Sequence, residues 1–369
     1  MHIRPFHAVY PDQDYITSSD SFFKGIKENY PEYRRSGVYR SFNEKGFYAY
    51  RIKYADHAFV GLIAVADLED YLSGNIKKHE HTLADKEQIH LNLLLRNRAI
   101  VKPVLLTHRP VAHLTQLLHD WVESHQPEFS IYFESDHQEH SFFPITDQDL
   151  ISRLSRIFAE DVRESYIADG HHRSSSLKLL FERLHGREEG QNFSGLLCAF
   201  FPADEVEILD FNRIVDIFVE MSPTLFMAKL SQVMEIEFSE QPIKPSQPHE
   251  MSMYLHREWY LLRWKQEVLD RHKHRSVILD TYLFNDEILA HILNVQDVRT
   301  DDRIHYAPGV YGLDAFRHQV NQSEARVGFC LYPISLEDMM TISDEGSVLP
   351  PKSTWFQPRM KNGIIVHEF

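Results

Sequence analysis

Two short runs concentrate the residues that could do chemistry. The first is Lys77-Lys78-His79-Glu80-His81-Thr82, a carboxylate between two imidazoles with two ammonium groups alongside. In that setting Glu80 can act as a general base, with His79 and His81 orienting a hydroxyl group. The second is Asp169-Gly170-His171-His172-Arg173, followed by Ser174, Ser175 and Ser176. It is expected to run from a strand through a glycine into a helix. A helix N-terminus carries unpaired N–H groups and about half a positive charge, which draws anions. Gly170 allows a positive φ or close backbone approach. Arg173 can grip a phosphate with two parallel bonds. Together these parts describe a phosphate cradle that is not a Walker loop.

Plainer readings stand beside both. Asp169 could be a simple helix cap with solvated histidines after it. Glu80 could be a first-turn acid that complements the helix dipole. A third run, Pro350-Pro351-Lys352-Ser353-Thr354-Trp355-Phe356, offers an ammonium and two hydroxyls to an anion, or is a surface turn over a buried Trp355.

The elements expected to position these residues mix helices and strands. Val38–Phe42, Phe47–Tyr54 and Ala58–Val65 read as a meander turning at 43–46 and 55–57. The third of these is continuously apolar, as in a strand covered on both faces. A helix is expected over Leu83–Arg98, capped by Thr82 with Asp85 three residues on, and a short buried strand over Lys102–Thr107. His113–Val122 and Asp147–Glu160 read as helices around a hairpin, Phe129–Glu134 with Ser141–Ile145. Next come a strand at Ser165–Ala168 and a helix over His171–His185 with Gly186 as its C-cap. Strands follow at Leu196–Pro202 and Val206–Phe211. Pro242, Pro245 and Pro248 mark 239–250 as an exposed linker. Beyond it are expected a hairpin within Met251–Trp264, a helix near Thr281–Leu293, and strands at Val327–Tyr332 and Ile364–Glu368. The pattern predicts an α+β fold, with a first domain over 1–238 and a C-terminal α+β portion over 251–369.

Composition narrows the function classes. Against 39 lysines and arginines stand 54 acidic residues, a net charge of −15, and no long basic run offsets it, so nucleic acid is a poor partner. No apolar run approaches the length that spans a membrane. The N-terminus lacks a signal-peptide core, and the two cysteines, Cys198 and Cys330, lie in apolar stretches as buried thiols do. A cytoplasmic protein is expected.

With these motifs placed, the chain resembles the family catalogued as domain of unknown function 1015. The likeness rests on Arg4-Pro5-Phe6, Ile76–Thr82 with Asp85-Lys86, Tyr166–Arg173, Phe201-Pro202-Ala203-Asp204, Asn212-Arg213-Ile214-Val215, Arg299-Thr300-Asp301 and Pro350–Phe356. The Pro-Tyr-Asp motif that many members carry is missing near Asp14–Ser21. More distantly, the Asp-Gly-His-His-Arg run is similar to that of ParB/sulfiredoxin-like proteins, above all the free L-serine kinases. That resemblance implies a ParB/sulfiredoxin-like core within 1–238, with an insertion at about 108–160. It implies Glu80 as the catalytic glutamate, with His79 and His81 placing substrate. Asp169, Gly170, His171, His172, Arg173 and Ser174 would hold nucleotide phosphates, and Asp169 would hold Mg²⁺ that comes with ATP or ADP. Lys77, Lys78, Asn212, Arg213, Lys352, Ser353 and Thr354 are further candidate contacts. The expected reaction moves a phosphoryl group between a nucleotide and the hydroxyl of a small metabolite, L-serine first. The rival enzyme reading is a metal-dependent hydrolase with His79, His81, His171 and His172 as ligands. A non-catalytic nucleotide switch is the other alternative.

Overall fold

A computed structural model describes residues 1–184, 190 and 192–369. The expected helix end at His185 and its cap at Gly186 lie outside the described residues. Two compact units emerge, Met1–Glu207 with Pro358–Phe369, and Ile208–Gln357. The fold is α+β.

The first unit is built on a mixed sheet. Its strands run in the order Ile76–Lys77, Ser165–Asp169, Val104–His108, Gly195–Pro202, His57–Asp67, Phe47–Tyr54, Gln138–Ile145 and Phe129–Phe133, with Ile3–Arg4 also on His57–Asp67. Ser165–Asp169 is parallel to Ile76–Lys77, and Gly195–Pro202 is parallel to Val104–His108; the other pairs are antiparallel. All of Gly195–Pro202 and Phe59–Ala66 is buried, which is why these segments read as unbroken apolar runs. Helices Ala112–Ser124 and Gln148–Glu160 and the hairpin between them fill the stretch from His108 to Ser165. Asp147 caps the second of these helices through its side chain, as its residue type suggests.

The expected meander is corrected in its first strand. Tyr39–Ser41 pairs with Ala8–Pro11, in a smaller sheet with Val366–Glu368 and Ala99–Ile100. The reason is pairing: one edge of Phe47–Tyr54 is taken by His57–Asp67 and the other by Gln138–Ile145, so no edge is left for a hairpin with Tyr39–Ser41.

The second unit holds an antiparallel sheet in the order Met234–Ser239, Glu258–Trp264, Glu250–Leu255, Arg326–Leu331, Phe211–Asp216, Ile304–Pro308. Leu283, Phe284, Ile288 and Phe226 pack with Phe329 and Met253, whereas Phe316 and Val320 pack with Trp259 and Cys330. The segment 239–250 is mostly exposed, as expected, but it is no domain boundary. It joins two strands of this one sheet, and Glu250 pins it by accepting bonds from Ser246 and Gln247. The expected helix near 281–293 is a short α-turn, Asp280–Leu283, followed by a π-helix, Phe284–Ile292. The strand expected over Val206–Phe211 is broken at Asp210 into Glu207–Leu209 and Phe211–Asp216. Both cysteines are buried and unbridged. Among the described residues no helix is long and apolar enough to cross a membrane.

Candidate functional site

Parallel pairing brings the two chemical runs together. Ser165 lies opposite Ile76 and Tyr166 opposite Lys77. The chain therefore leaves both strands at the same end of the sheet, and each exit leads into a helix, Ala84–Asn97 and His171–Arg183. In mixed and parallel sheets, the carboxyl ends of neighbouring parallel strands are where such loops converge.

Glu87, on the first of these helices, ties them. Its carboxylate accepts the hydroxyls of Thr82 and Ser175, and its backbone carbonyl accepts Ser176 Oγ at 2.9 Å. The Ser175 and Thr82 bonds hold the Glu87 carboxyl below its ordinary value, with help from His172 and Lys78. Thr82 is thus corrected from its expected capping role. Leu83 stands at the N-cap with no side-chain bond, because the Thr82 hydroxyl is spent on Glu87.

At the second loop Gly170 is the N-cap with φ +119°, a conformation costly for any other residue. A Cβ there would lie 2.6 Å from an Arg173 guanidinium nitrogen, so besides the φ cost a side chain would displace that guanidinium. Ser174 makes the first bond back to Gly170 O, at 3.1 Å, which leaves the N–H groups of His171, His172 and Arg173 ahead of the helical ladder.

The loops meet at His171. The His79 N–H donates to His171 Nε2 at 3.5 Å, and the two rings stand edge to face with centroids 4.5 Å apart. With Nε2 accepting, the proton is assigned to Nδ1, which faces Glu80 Oε2 at 3.9 Å. Burial pushes the His79 imidazole down to about 4. Burial, then the neighbouring His79, carries His171 well below the usual histidine range. Burial favours the neutral form of both rings, and the half-exposed Glu80 carboxyl faces His171.

Behind them is a cation pair on one carboxylate. Asp169 Oδ2 accepts from Lys102 Nζ and from an Arg173 guanidinium nitrogen, each at 3.0 Å, and Arg173 also reaches Pro103 O at 3.3 Å. Burial alone would raise the Asp169 carboxyl; Arg173 and Lys102, helped by Arg359, overcome it and hold the group well below the carboxylate range. Lys102 is brought down to about 8 by burial, which Asp169 opposes in part. The simple-cap reading of Asp169 is thereby set aside. Lys102 and Arg173 both bond Oδ2, so a Mg²⁺ ion held by Asp169 would have to use the other oxygen or a bridging water.

Other expected residues fall elsewhere. Lys77 pairs with Glu164 at 2.8 Å and lies over the Tyr166 ring. Lys78 and His81 are exposed on the loop. Ser174 is fully buried, with its hydroxyl 3.4 Å from Gly170 O, and so serves the helix rather than an anion. Among the described residues no group of three or more His, Cys, Asp or Glu is arranged to hold a metal ion, so the four histidines do not form the set that the hydrolase reading required.

Asn212, Arg213, Lys352, Ser353 and Thr354 belong to the second unit. There Asn212 bridges Asp210 and the Leu331 N–H. Arg213, buried, donates to Phe211 O at 2.6 Å and lies over the Tyr306 ring at 4.8 Å. Lys352 lies over Phe211, and Ser353 donates to Pro350 O at 2.7 Å. These contacts tie the start of the strand Phe211–Asp216 to neighbouring segments of the second unit.

Sequence reasoning missed Lys102, Lys27 and His90. With Arg173 they line a small cleft of about 50 Å³ whose lining includes neither Glu80 nor His171. Their only signal was position: Lys102 lies two residues before the strand beside Asp169, and His90 follows Glu87 by three residues, on the same helical face.

A search of curated proteins returns no match. Among solved structures the chain is similar to a free serine kinase in complex with ADP, at 11% identity over 82% of this chain and 92% of the other, with a TM-score of 0.40. It is also similar to SbnI with a C-terminal truncation from Staphylococcus aureus, at 12% identity over 81% and 85%, with a TM-score of 0.40. A third is a conserved hypothetical protein from Pyrococcus furiosus, at 13% identity over 83% and 95%, with a TM-score of 0.38. Residues 6–284 match the family described as "Protein of unknown function (DUF1015)", and the chain belongs to that family.

Proposed function

We propose that the protein is a phosphotransferase that moves a phosphoryl group between a nucleotide and the hydroxyl of a small metabolite, with free L-serine as the first acceptor to test. The observation that carries this reading is the Glu80 carboxylate facing His171, the first residue of a glycine-led helix whose leading N–H groups are available to an anion.

Phosphoryl transfer asks mainly for positioning and for cancellation of charge. The N–H groups of His171, His172 and Arg173 would hold phosphate oxygens. Lys102 and Arg173, fixed by Asp169, would supply the positive field. Glu80 would take the hydroxyl proton as the substrate oxygen bonds to phosphorus and the bond to the nucleotide's bridging oxygen breaks. Neutral His171, donating from Nδ1, would hold the Glu80 carboxylate in place without protonating it. A divalent ion in such reactions sits largely on the nucleotide's own phosphates. Asp169 has the separate task of aligning two cations.

The test is ATP-dependent phosphorylation of L-serine and related hydroxyl compounds by the wild type and by Glu80→Gln. A general base contributes roughly 10²–10⁴-fold, so the variant should lose at least about a hundredfold in rate while still binding nucleotide. Wild-type turnover in Glu80→Gln would end the assignment.

A further inference from the structure

The Arg4-Pro5-Phe6 run, to which the phosphotransfer reading gives no task, forms one wall of an open cavity of about 400 Å³ in the first unit. Lys45, Ser194, Gly195, His367 and Phe369 face it from other segments, and neither Glu80 nor the loop Asp169–Arg173 takes part in the lining. Arg4 is held in place: its Nε lies 2.7 Å from Asp67 Oδ1, and its Nη2 donates to Ser194 O at 3.1 Å and to Ser194 Oγ at 3.3 Å. Gly195 makes room for it, since a Cβ there would collide with Val65 and press on the Arg4 guanidinium at 3.1 Å. Even so, 46% of the Arg4 side chain stays exposed. A guanidinium fixed by its neighbours and still open to solvent is prepared for a planar anion.

The charges around the cavity do not cancel. Asp67 balances Arg4, and the Glu368 carboxylate is taken by Tyr30 and Arg34. The exposed Lys45 has no acidic partner among the described residues. One positive charge is left over, in a chain of net charge −15. The fields of both cations reach the His367 ring: burial first, then Arg4, with Lys45 adding to it against Glu368, brings that imidazole down to about 4. His367 meets Phe6 edge to face at 5.4 Å and Phe369 at 5.5 Å, so an aromatic surface lies beside the cations.

We propose that this cavity binds a small organic carboxylate, its anionic group on Arg4 and Lys45 and its apolar body against Phe6, His367 and Phe369. A surplus of one positive charge matches a monoanion, and a carboxylate has the plane that the arginine fork fits. Ser194 Oγ already accepts from Arg4, which leaves its own proton to donate to the ligand. The volume of about 400 Å³ falls within the range of roughly 300–1,000 Å³ usual for small-molecule sites. The assignment stands on charge and shape and does not rest on phosphoryl transfer at Glu80.

Isothermal titration of the full chain with benzoate, benzamide and acetate tests it, because no turnover enters the readout. Benzoate should bind. Benzamide, of the same shape without the charge, and acetate, with the charge but no ring, should each bind more weakly. Lys45→Glu should weaken benzoate binding about tenfold or more, the worth of one charge-assisted contact. Lys45 is exposed, so that variant should keep the wild-type unfolding midpoint. Saturating benzoate should raise the midpoint of wild type and leave that of Lys45→Glu where it is. Glu80→Gln should bind benzoate as wild type does; a loss there would place the ligand at the other loops and overturn the assignment. Equal binding of benzoate and benzamide would also overturn it, as would wild-type affinity in Lys45→Glu or no binding by wild type at millimolar benzoate.

Discussion

The Lys102 ammonium lies 3.0 Å from Asp169 Oδ2, on the oxygen that Arg173 also uses. Removing the charge of Asp169 leaves two largely buried cations facing each other. Breaking a buried pair costs about 3–5 kcal/mol, and partial exposure of Asp169 moves the expectation for Asp169→Asn to about 2–3 kcal/mol. Urea unfolding at pH 7 measures it. The native Asp169 carboxyl is depressed, so its contribution is present above the ordinary aspartate value near 4 and is lost as pH falls toward the lower native value. The variant should therefore be less sensitive than wild type to pH below about 4. A loss under about 0.5 kcal/mol would mean that solvent screens the pair.

Gly170→Ala should cost about 1–2 kcal/mol, because φ +119° is unfavourable for alanine and the new methyl collides with Arg173. The guanidinium must move to admit it, so the variant should also bind phosphate compounds less well than its stability loss alone explains. Unfolding curves and titration on one preparation separate the two effects. A variant as stable as wild type would show that the turn can be re-formed without the glycine.

Stability should fall as pH drops from about 6.5 to about 4. His79 takes up its proton near 4 in the folded chain and near 6.5 in the unfolded one, so between these values the unfolded state binds more protons. The lowered group contributes fully above 6.5 and loses about 1.4 kcal/mol per pH unit below it. His171 acts in the same direction. Urea midpoints from pH 7.5 to 4.5 should show a shallower decline for His79→Gln than for wild type. Parallel declines would show that His79 is protonated in the folded state.

What could be read beforehand was local. The glycine between Asp169 and His171 and the apolar run at Phe59–Val65 each report on a few neighbouring residues, and each led to the observed element. The partnerships of the site are not local. Asp169 meets Lys102 through strand pairing, and Glu87 meets Ser175 through helix packing. No periodicity encodes either. Thr82 misled because a hydroxyl before a helix has two good uses, its own helix's N–H groups or a carboxylate one turn on, and Glu87 won. The prolines at 242, 245 and 248 misled because a tethered crossing between strands of one sheet and a linker between domains share a composition. Pairing, not sequence, tells them apart.

The strand Val366–Glu368 lies between Ala8–Pro11 and Ala99–Ile100. On the ribosome, then, the whole of Ile208–Gln357 emerges before the earlier part of the chain can receive this strand. The small sheet beneath Tyr30 and Val101 must wait with an open slot throughout that interval, and an apolar surface that is dry in the finished molecule is wet during synthesis. Arg359, which helps hold Asp169 charged, arrives with the same last stretch. The small sheet and the charge setting of Asp169 are therefore completed only once residues 359–368 have been made.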